Sequence, residues 1–305
     1  MMRLLLDIAS TISCQNTFGN EDPFDGLQVV YNEAATQEPV YKEYIPSLKL
    51  RRLSPILKIS LTTAIDCFSR TNVEIGAIII GTGCGCMRDT SAFLLQIKNA
   101  TGGSLSPTAF IHSTHNTVSG QISLFFKNHG YNITHSQSNL SFEMSLFDCM
   151  NTLMADDTID GILVGAADEK IDFLDNLKGG VLSKKYPLSD LSSSFVVRPG
   201  GGASSGQVVV DRVCFDYSSL DILSVMKKCG INLDDYDLVL HSGVRAFDND
   251  SHINYLMFSG MNLSSSAFAC HYAFDLLQKR KEGKALIVNN LCVESTGFIS
   301  LSVIE

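Results

Sequence analysis

Three serines and three histidines stand where a nucleophile and its base could be assembled. The stretch "NITHSQSNLSFEMSL", Asn132 to Leu146, reads as a short strand, a sharp bend and a helix start, an arrangement by which several enzyme folds present a nucleophile. Ser136, Ser138 and Ser141 lie at the bend, and no cysteine does. A serine hydroxyl reacts only beside a positioned base. His112 and His115 of "HSTH", or His135 of "THSQS", could supply one to Ser138 or Ser141. The competing role for Ser141 is that of a helix N-cap, with Glu143 as favourable charge in the first turn, and this role is favoured. Cys84 and Cys86 form a C-x-C without a second ligand pair, so no metal is expected. The loop "GTGCGCMRDT" has Cys86 or Arg88 where a dinucleotide fingerprint needs glycine. It reads as a tight loop leaving a strand, and no cofactor is expected.

These residues need a frame. Ser54 as N-cap and Pro55 at the first helical position open a helix whose Leu57, Leu61, Ala64, Ile65 and Phe68 keep helical spacing. "GAIIIG" follows as a strand buried on both faces. "NTVSGQISLFFKNHG" reads as a helix closed by Gly130, "YNITH" as a strand, "SFEMSLFDCMNTLMADD" as a helix and "GILVGAADE" as another buried strand. Alternating strands and helices predict an α/β fold with a layered sheet. "LSSSFVVRPGGGASSGQVVVDRV" reads as two strands joined by a Gly/Ser loop, and the first fifty residues as irregular.

The last third repeats a pattern. "LDILSVMKKCGINLDDYDLVLHSG" matches "AIDCFSRTNVEIGAIIIGTG" element by element, "SSSAFACHYAFDLL" follows as "THNTVSGQIS" did, and "ALIVNN" then stands for "YNITH". Two stacked copies of one α/β unit would give a five-layered body with a site at their junction.

Composition narrows the partners. A 305-residue chain with 45% hydrophobic residues builds a sizeable core, and a net charge of -9 without a basic stripe argues against nucleic acid. Asp7 interrupts "MMRLLLDIASTISC" too early for a signal segment, and no run approaches the roughly 18 apolar residues of a membrane span. Nine cysteines without framework spacing read as reduced thiols in a cytoplasmic protein.

The duplication and the bend carry a resemblance. From Tyr41 to Glu169, through "EPVYKEYI", "GAIIIGTGCG", "SPTAFIHSTHNTVSGQI" and "GILVGAADE", and again from Tyr236 onward, the chain resembles the thiolase-fold β-ketoacyl synthases. It is most similar to short, chain-length-factor-like members of bacterial aryl-polyene and flexirubin-type pigment pathways. The resemblance implies a five-layered αβαβα thiolase-like fold of two pseudo-repeated halves, residues 1–175 and 235–305, joined by a shortened middle, 176–234, in one compact domain.

In that family a cysteine at the bend takes the acyl chain, and two histidines and a lysine support decarboxylation and the developing enolate. Here the cysteine position falls on Asn139 counted forward or Leu140 counted backward. Ser242 stands for the first histidine in "HSGV", Met261 for the second and Leu256 for the lysine in "LMFSGM". His241 is one residue early, which in a strand turns the side chain to the other face. With no thiol to acylate and no imidazole donors, no catalytic residue is expected.

The resemblance therefore implies an inactive subunit pairing with an active ketosynthase, or with itself, through Tyr131, Asn132, Ile133, Thr134 and His135. Phe110 and Phe142 would help line an acyl pocket. The alternatives are a serine-based acyltransferase and a homodimeric scaffold for an acyl carrier protein. Such carriers are usually acidic, and Arg51, Arg52 and Lys58 or Lys279, Arg280, Lys281 and Lys284 could meet one.

Overall fold

The computed structural model describes residues 2–99, 105–171, 185–218, 221–243, 247, 252–292 and 294–305. Its strands are β1 (Leu4–Ile12), β2 (Ile75–Gly81), β3 (Tyr131–His135), β4 (Gly161–Asp168), β5 (Leu191–Pro199), β6 (Val208–Asp216), β7 (Leu238–His241), β8 (His252–Asn254), β9 (Lys284–Asn289) and β10 (Thr296–Val303). The helices are α1 (Ser47–Leu50), α2 (Pro55–Arg70), α3 (Met87–Asn99), α4 (Pro107–His112), α5 (Thr117–Phe126), α6 (Ser141–Ala155), α7 (Ile222–Cys229), α8 (Leu256–Ser259) and α9 (Ser265–Arg280).

The strand order β3-β2-β4-β5-β1-β6-β10-β9-β7-β8 is a palindrome of roles. β2 lies parallel between β3 and β4, followed by antiparallel β5 and β1; β7 lies parallel between β8 and β9, followed by antiparallel β10 and β6. Within the sheet, the described strands of the two five-stranded halves are joined where Leu4 and Leu5 pair with Val210 and Val209. Helices α6 and α9 each touch strands of both halves, while α2 and α5 cover the outer face of the first half and α7 that of the second. The layers run αβαβα, as expected.

The repeat is real but its copies match differently from the sequence reading. β2 corresponds to β7 as expected, yet "ALIVNN" (β9) is the counterpart of β4, not of "YNITH", whose counterpart is the short β8. Likewise α9 answers α6, the other interlayer helix, not α5. Apolar pattern identifies a buried strand but not its neighbours, and here sheet order had to decide.

Further expectations are corrected. The first fifty residues are not all irregular: β1 lies at the middle of the sheet, antiparallel to β5 along its length. β5 and β6 are two strands joined by the Gly/Ser loop, but β1 lies between them. The segment 176–234 therefore carries two central strands and α7, with 172–184 outside the described residues. Helix α5 ends at Phe126 with Lys127 left-handed at φ 55°, so Gly130 is not its cap. Gly130 instead packs where an added Cβ would meet the Gly76 carbonyl oxygen at 1.9 Å.

The thiols are not all reduced. Cys214 on β6 and Cys229 at the end of α7 form a disulfide, with Cα atoms 6.3 Å apart. Their spacing follows no framework because the bond simply ties a helix end to the strand that α7 packs on. The other seven cysteines are free.

Candidate functional site

The loops leaving β2, β4, β7 and β9 and the bends opening α6 and α9 converge at the ends of the parallel strands. Two glycines permit the approach. A Cβ on Gly81 would stand 2.6 Å from the Ser141 backbone, and one on Gly83 would stand 2.4 Å from Leu263 Cβ. Glycine is the residue that lets a helix start sit directly on a strand end.

The Gly-rich loop after β2 does cradle an anion, but the anion is the chain's own. Asp168 at the end of β4 accepts from Gly83 N–H at 2.7 Å, Cys84 N–H at 2.9 Å, the Thr82 hydroxyl at 3.0 Å and the Ser264 hydroxyl at 2.6 Å. Burial pushes the Asp168 carboxyl up, and these four donors oppose it. Asn262 adds bonds from its Nδ2 to the carbonyls of Asp168 and Ser189, at 3.1 and 2.8 Å. The loop thus fastens the α9 bend to β2 and β4.

At the α6 bend, Ser138 is left-handed at φ 54°, and Asn139 and Leu140 are fully buried. Asn139 Nδ2 donates to Asn289 Oδ1 at 3.3 Å, and its Oδ1 accepts from the Ser295 hydroxyl at 2.7 Å. Asn289 Nδ2 donates to the Asn139 carbonyl at 2.7 Å and to Glu143 Oε1 at 2.8 Å. Glu143 is fully buried, which pushes its carboxyl up to about 7. Where the resemblance puts a nucleophile, the structure has an amide held at both ends.

Ser141 is not an N-cap. It is the first residue of α6, with Leu140 at the cap position and no side-chain cap bond. Its buried hydroxyl accepts from Gln137 N–H at 2.9 Å and lies 2.7 Å from the Ser138 carbonyl and 2.9 Å from that of Thr82, pinning the bend to the β2 end. Ser138 Oγ faces Cys292 Sγ at 3.7 Å. The proposed bases go elsewhere. His135 Nε2 bonds Asp148 Oδ2 at 2.8 Å, His115 packs under Gly85, and His112 closes α4.

The other expected positions are buried too. Ser242 Oγ accepts from Asn290 N–H at 2.8 Å, and Leu256 is 1% exposed at the start of α8. Met261 bridges Leu188 and, with Leu263 and Leu291, lines a small cavity beside Asp168 and Glu169. Cys84 and Cys292 are half-buried nearby, and burial pushes both thiols up, Cys84 to about 12, so neither is a ready thiolate.

Phe142 lies in the main core, 5.5 Å from the Phe195 ring, whereas Phe110 is 59% exposed on α4 and touches Phe93. β3 is an edge strand, with Tyr131 exposed and its hydroxyl donating to Asp148 at 3.1 Å. Helix α5 packs on β3, and apolar side chains are exposed on α5 and on the paired helices α3 and α4. No residue of α3 is buried, and Leu94, Leu95 and Ile97 on α3, Phe110 and Ile111 on α4 and Leu124 on α5 are exposed. No helix of the described residues is long and apolar enough to cross a membrane.

Sequence reasoning missed Asp168, Asn289 and Ser295, and took Glu143 for a first-turn charge where the structure buries it. Glu143 had a signal: it shares helical spacing with Leu146, Met150 and Leu153, all on the buried side of α6. Asn289 and Ser295 gave none, being 150 and 156 residues from Asn139.

Residues 28–174 match the family model "Beta-ketoacyl synthase, N-terminal domain". No curated protein matches the chain by sequence. Among solved structures, "The ishigamide ketosynthase/chain length factor" aligns at TM-score 0.76 and 12% identity over 100% of both chains. A complex of the ketosynthase ApeO with its chain length factor ApeC from Xenorhabdus doucetiae aligns at 0.71 and 11%, over 99% of this chain and 98% of that one. A β-ketoacyl synthase from Burkholderia phymatum STM815 aligns at 0.76 and 8%, over 100% of both. Residues 28–174 thus match the β-ketoacyl synthase N-terminal domain, within a chain that has the thiolase-like fold throughout.

Proposed function

We propose that this protein is a catalytically inactive ketosynthase-like subunit, of the chain-length-factor kind, that pairs with an active ketosynthase and shapes acyl-chain elongation in a fatty-acid or polyketide-type pathway of the aryl-polyene sort. The observation that carries this reading is the clamp on Asn139. A covalent acyl step needs a free, activated nucleophile at the bend, and this position offers a buried amide bonded to Asn289 and Ser295. Ser242, Leu256 and Met261 supply no imidazole or ammonium to stabilise an enolate oxygen.

Pairing is supported by the unpaired edge of β3 and by the exposed apolar side chains of α5, which packs on it, and of α3 and α4. An exposed strand edge flanked by apolar helices is a template for a second chain. Two neighbours are complexes of the kind proposed, one with a chain length factor and one described as an acyl-carrier protein in complex with its ketosynthase. Phe110, exposed in one chain, would come under cover in the pair and could then face an acyl chain; Phe142 would act from the core behind the bend. A carrier protein would meet Arg51 and Arg52, both exposed, rather than Lys279, which already pairs with Asp22 and Asp275.

The test is intact mass after incubation with an acyl-loaded carrier protein, alone and beside a candidate ketosynthase. An adduct on the partner only, within a stable heteromer, supports the reading. An adduct on Ser138 or Ser141 would make the chain an acyltransferase and end it.

A further inference from the structure

Helices α1, α2, α4 and α5 leave between them a cleft of about 380 Å³. Leu53 and Leu61 are its buried apolar lining, and Ile111, Leu124 and Phe125 its more open walls. The frame is firm. Phe126, next to the wall residue Phe125, stacks on Phe68 of α2 with ring centroids 3.6 Å apart, which holds α5 on α2. The end of α4 is tied on both sides of His112. The Thr117 hydroxyl donates to the Ile111 carbonyl and the Thr90 hydroxyl to the Ser113 carbonyl, both at 2.7 Å.

Two independent features of the cleft call for an anionic head group. Its charged residues are Lys49 and Arg52, and no Asp or Glu lines it, in a chain of net charge -9. Arg52 N–H bonds the Lys49 carbonyl at 2.9 Å, so both cations leave one turn of the chain. Neither forms an ion pair among the described residues. Lys49 Nζ lies instead 4.7 Å from the centre of the Phe125 ring, against the apolar wall. The second feature is His112, which is 8% exposed and lines the cleft. Its ring nitrogens bond no described residue, and neither is closed off from solvent. Buried polar groups are ordinarily hydrogen-bonded, and here the neighbouring backbone is tied while the ring is left for something else.

We propose that this cleft binds a medium-chain aliphatic carboxylate. The head group is held by the Lys49 and Arg52 turn, with the His112 N–H as a further donor from α4, and the chain lies on Leu53, Leu61, Ile111 and Leu124. Charge-assisted bonds to a carboxylate are the strong ones, and a guanidinium matches its two oxygens. An inorganic anion would leave the leucines wet, and a neutral chain would leave two cations and a histidine unanswered. Specific pockets combine an apolar wall with a few placed polar groups in this way. The proposal goes beyond the pairing reading and does not rest on it. Ile111 and Leu124 also belong to the apolar surface offered to a partner, so the measurement is made on the chain alone.

The test is calorimetric titration of the purified full chain with octanoate, with hexanoate and octylammonium as comparisons. Saturable binding of one octanoate per chain is expected. Hexanoate should bind about tenfold more weakly, since each buried methylene is worth roughly a factor of four. Lys49→Gln/Arg52→Gln, at exposed positions, should weaken octanoate at least about tenfold, and His112→Leu severalfold. The paired control Lys227→Gln/Arg280→Gln removes the same charge from exposed positions elsewhere and should leave the affinity unchanged. Should His112→Leu not fold, the exposed pair decides. No saturable heat, equal affinity for hexanoate or octylammonium, or equal weakening by the remote pair would overturn the proposal. None of these outcomes depends on whether a ketosynthase partner binds.

Discussion

Asn139 and Asn289 hold each other across the interior: Asn139 Nδ2 donates to Asn289 Oδ1 at 3.3 Å, and Asn289 Nδ2 returns a bond to the Asn139 carbonyl at 2.7 Å. One residue lies in the bend before α6 and the other ends β9, so the pair ties the first half of the fold to the second. The position that resembles a reaction centre serves here as a joint.

Replacing Asn139 should damage the fold without creating activity. Asn139→Ala strands the Ser295 hydroxyl and leaves Asn289 Oδ1 only the long bond from Leu291 N–H, and a loss of about 1–3 kcal/mol is expected in urea unfolding. Asn139→Cys should gain no acyl adduct from a loaded carrier, since Ser242 and Met261 remain where imidazoles would be needed; an adduct by mass spectrometry would contradict the proposed loss of chemistry.

Glu143 makes stability fall with pH. Its carboxyl titrates at about 7 when folded, raised by burial from 4.5. The folded chain therefore binds the proton more tightly than the unfolded one, and the group's stabilising effect is complete below 4.5 and lost as pH rises through 7. Glu143→Gln should match the parent near pH 5 and exceed it near pH 8, by an amount on the order of 3 kcal/mol. Unfolding curves at the two pH values that move in parallel would refute this.

The α3 surface should matter for association and not for folding. Leu94→Glu with Ile97→Glu changes residues 58% and 46% exposed, so the melting temperature of the isolated chain should stay within a few degrees. Co-purification with the ketosynthase should be lost. Retained co-purification would move the interface elsewhere.

The Cys214–Cys229 bond closes a separation of 15 residues. A loop of that size is worth about 3 kcal/mol in the chain-entropy account. Cys229→Ser, or reductant on the parent, should lower stability by a similar amount in denaturant titrations, and reductant should have no further effect on the variant.

Much of the frame was legible because periodicity is local. α2, β2, α6 and β4 show their spacing within about a dozen residues, and the pairing of apolar runs with glycines placed them in layers. β1 was not legible, since Asp7, Ser10 and Thr11 break its apolar pattern. Nor could the burial of "SSS" in β5 be read off. Thr63 bonds both Ser192 and Ser194 at 2.9 Å and Thr11 bonds Ser193 at 2.8 Å, so hydroxyls on opposite faces are satisfied by residues far away in the chain. The site divides the same way. That no cysteine stands at the bend was visible in the residue types, while the clamp found there joins atoms 150 residues apart.

The place of β1 has a consequence for how the molecule is made. Leu4 pairs with Pro199 on one side and Val210 on the other, so no neighbouring strand exists for it until about two-thirds of the chain has left the ribosome. Helix α2 and the strands β2, β3 and β4 emerge earlier and can assemble, but the sheet cannot be joined through its middle before β5 and β6 arrive. Contacts so distant in sequence close slowly, and an unpaired central strand is a hazard while they do. Yield in the cell should thus respond to translation speed and chaperone supply around residues 191–216 more than to changes at the bend.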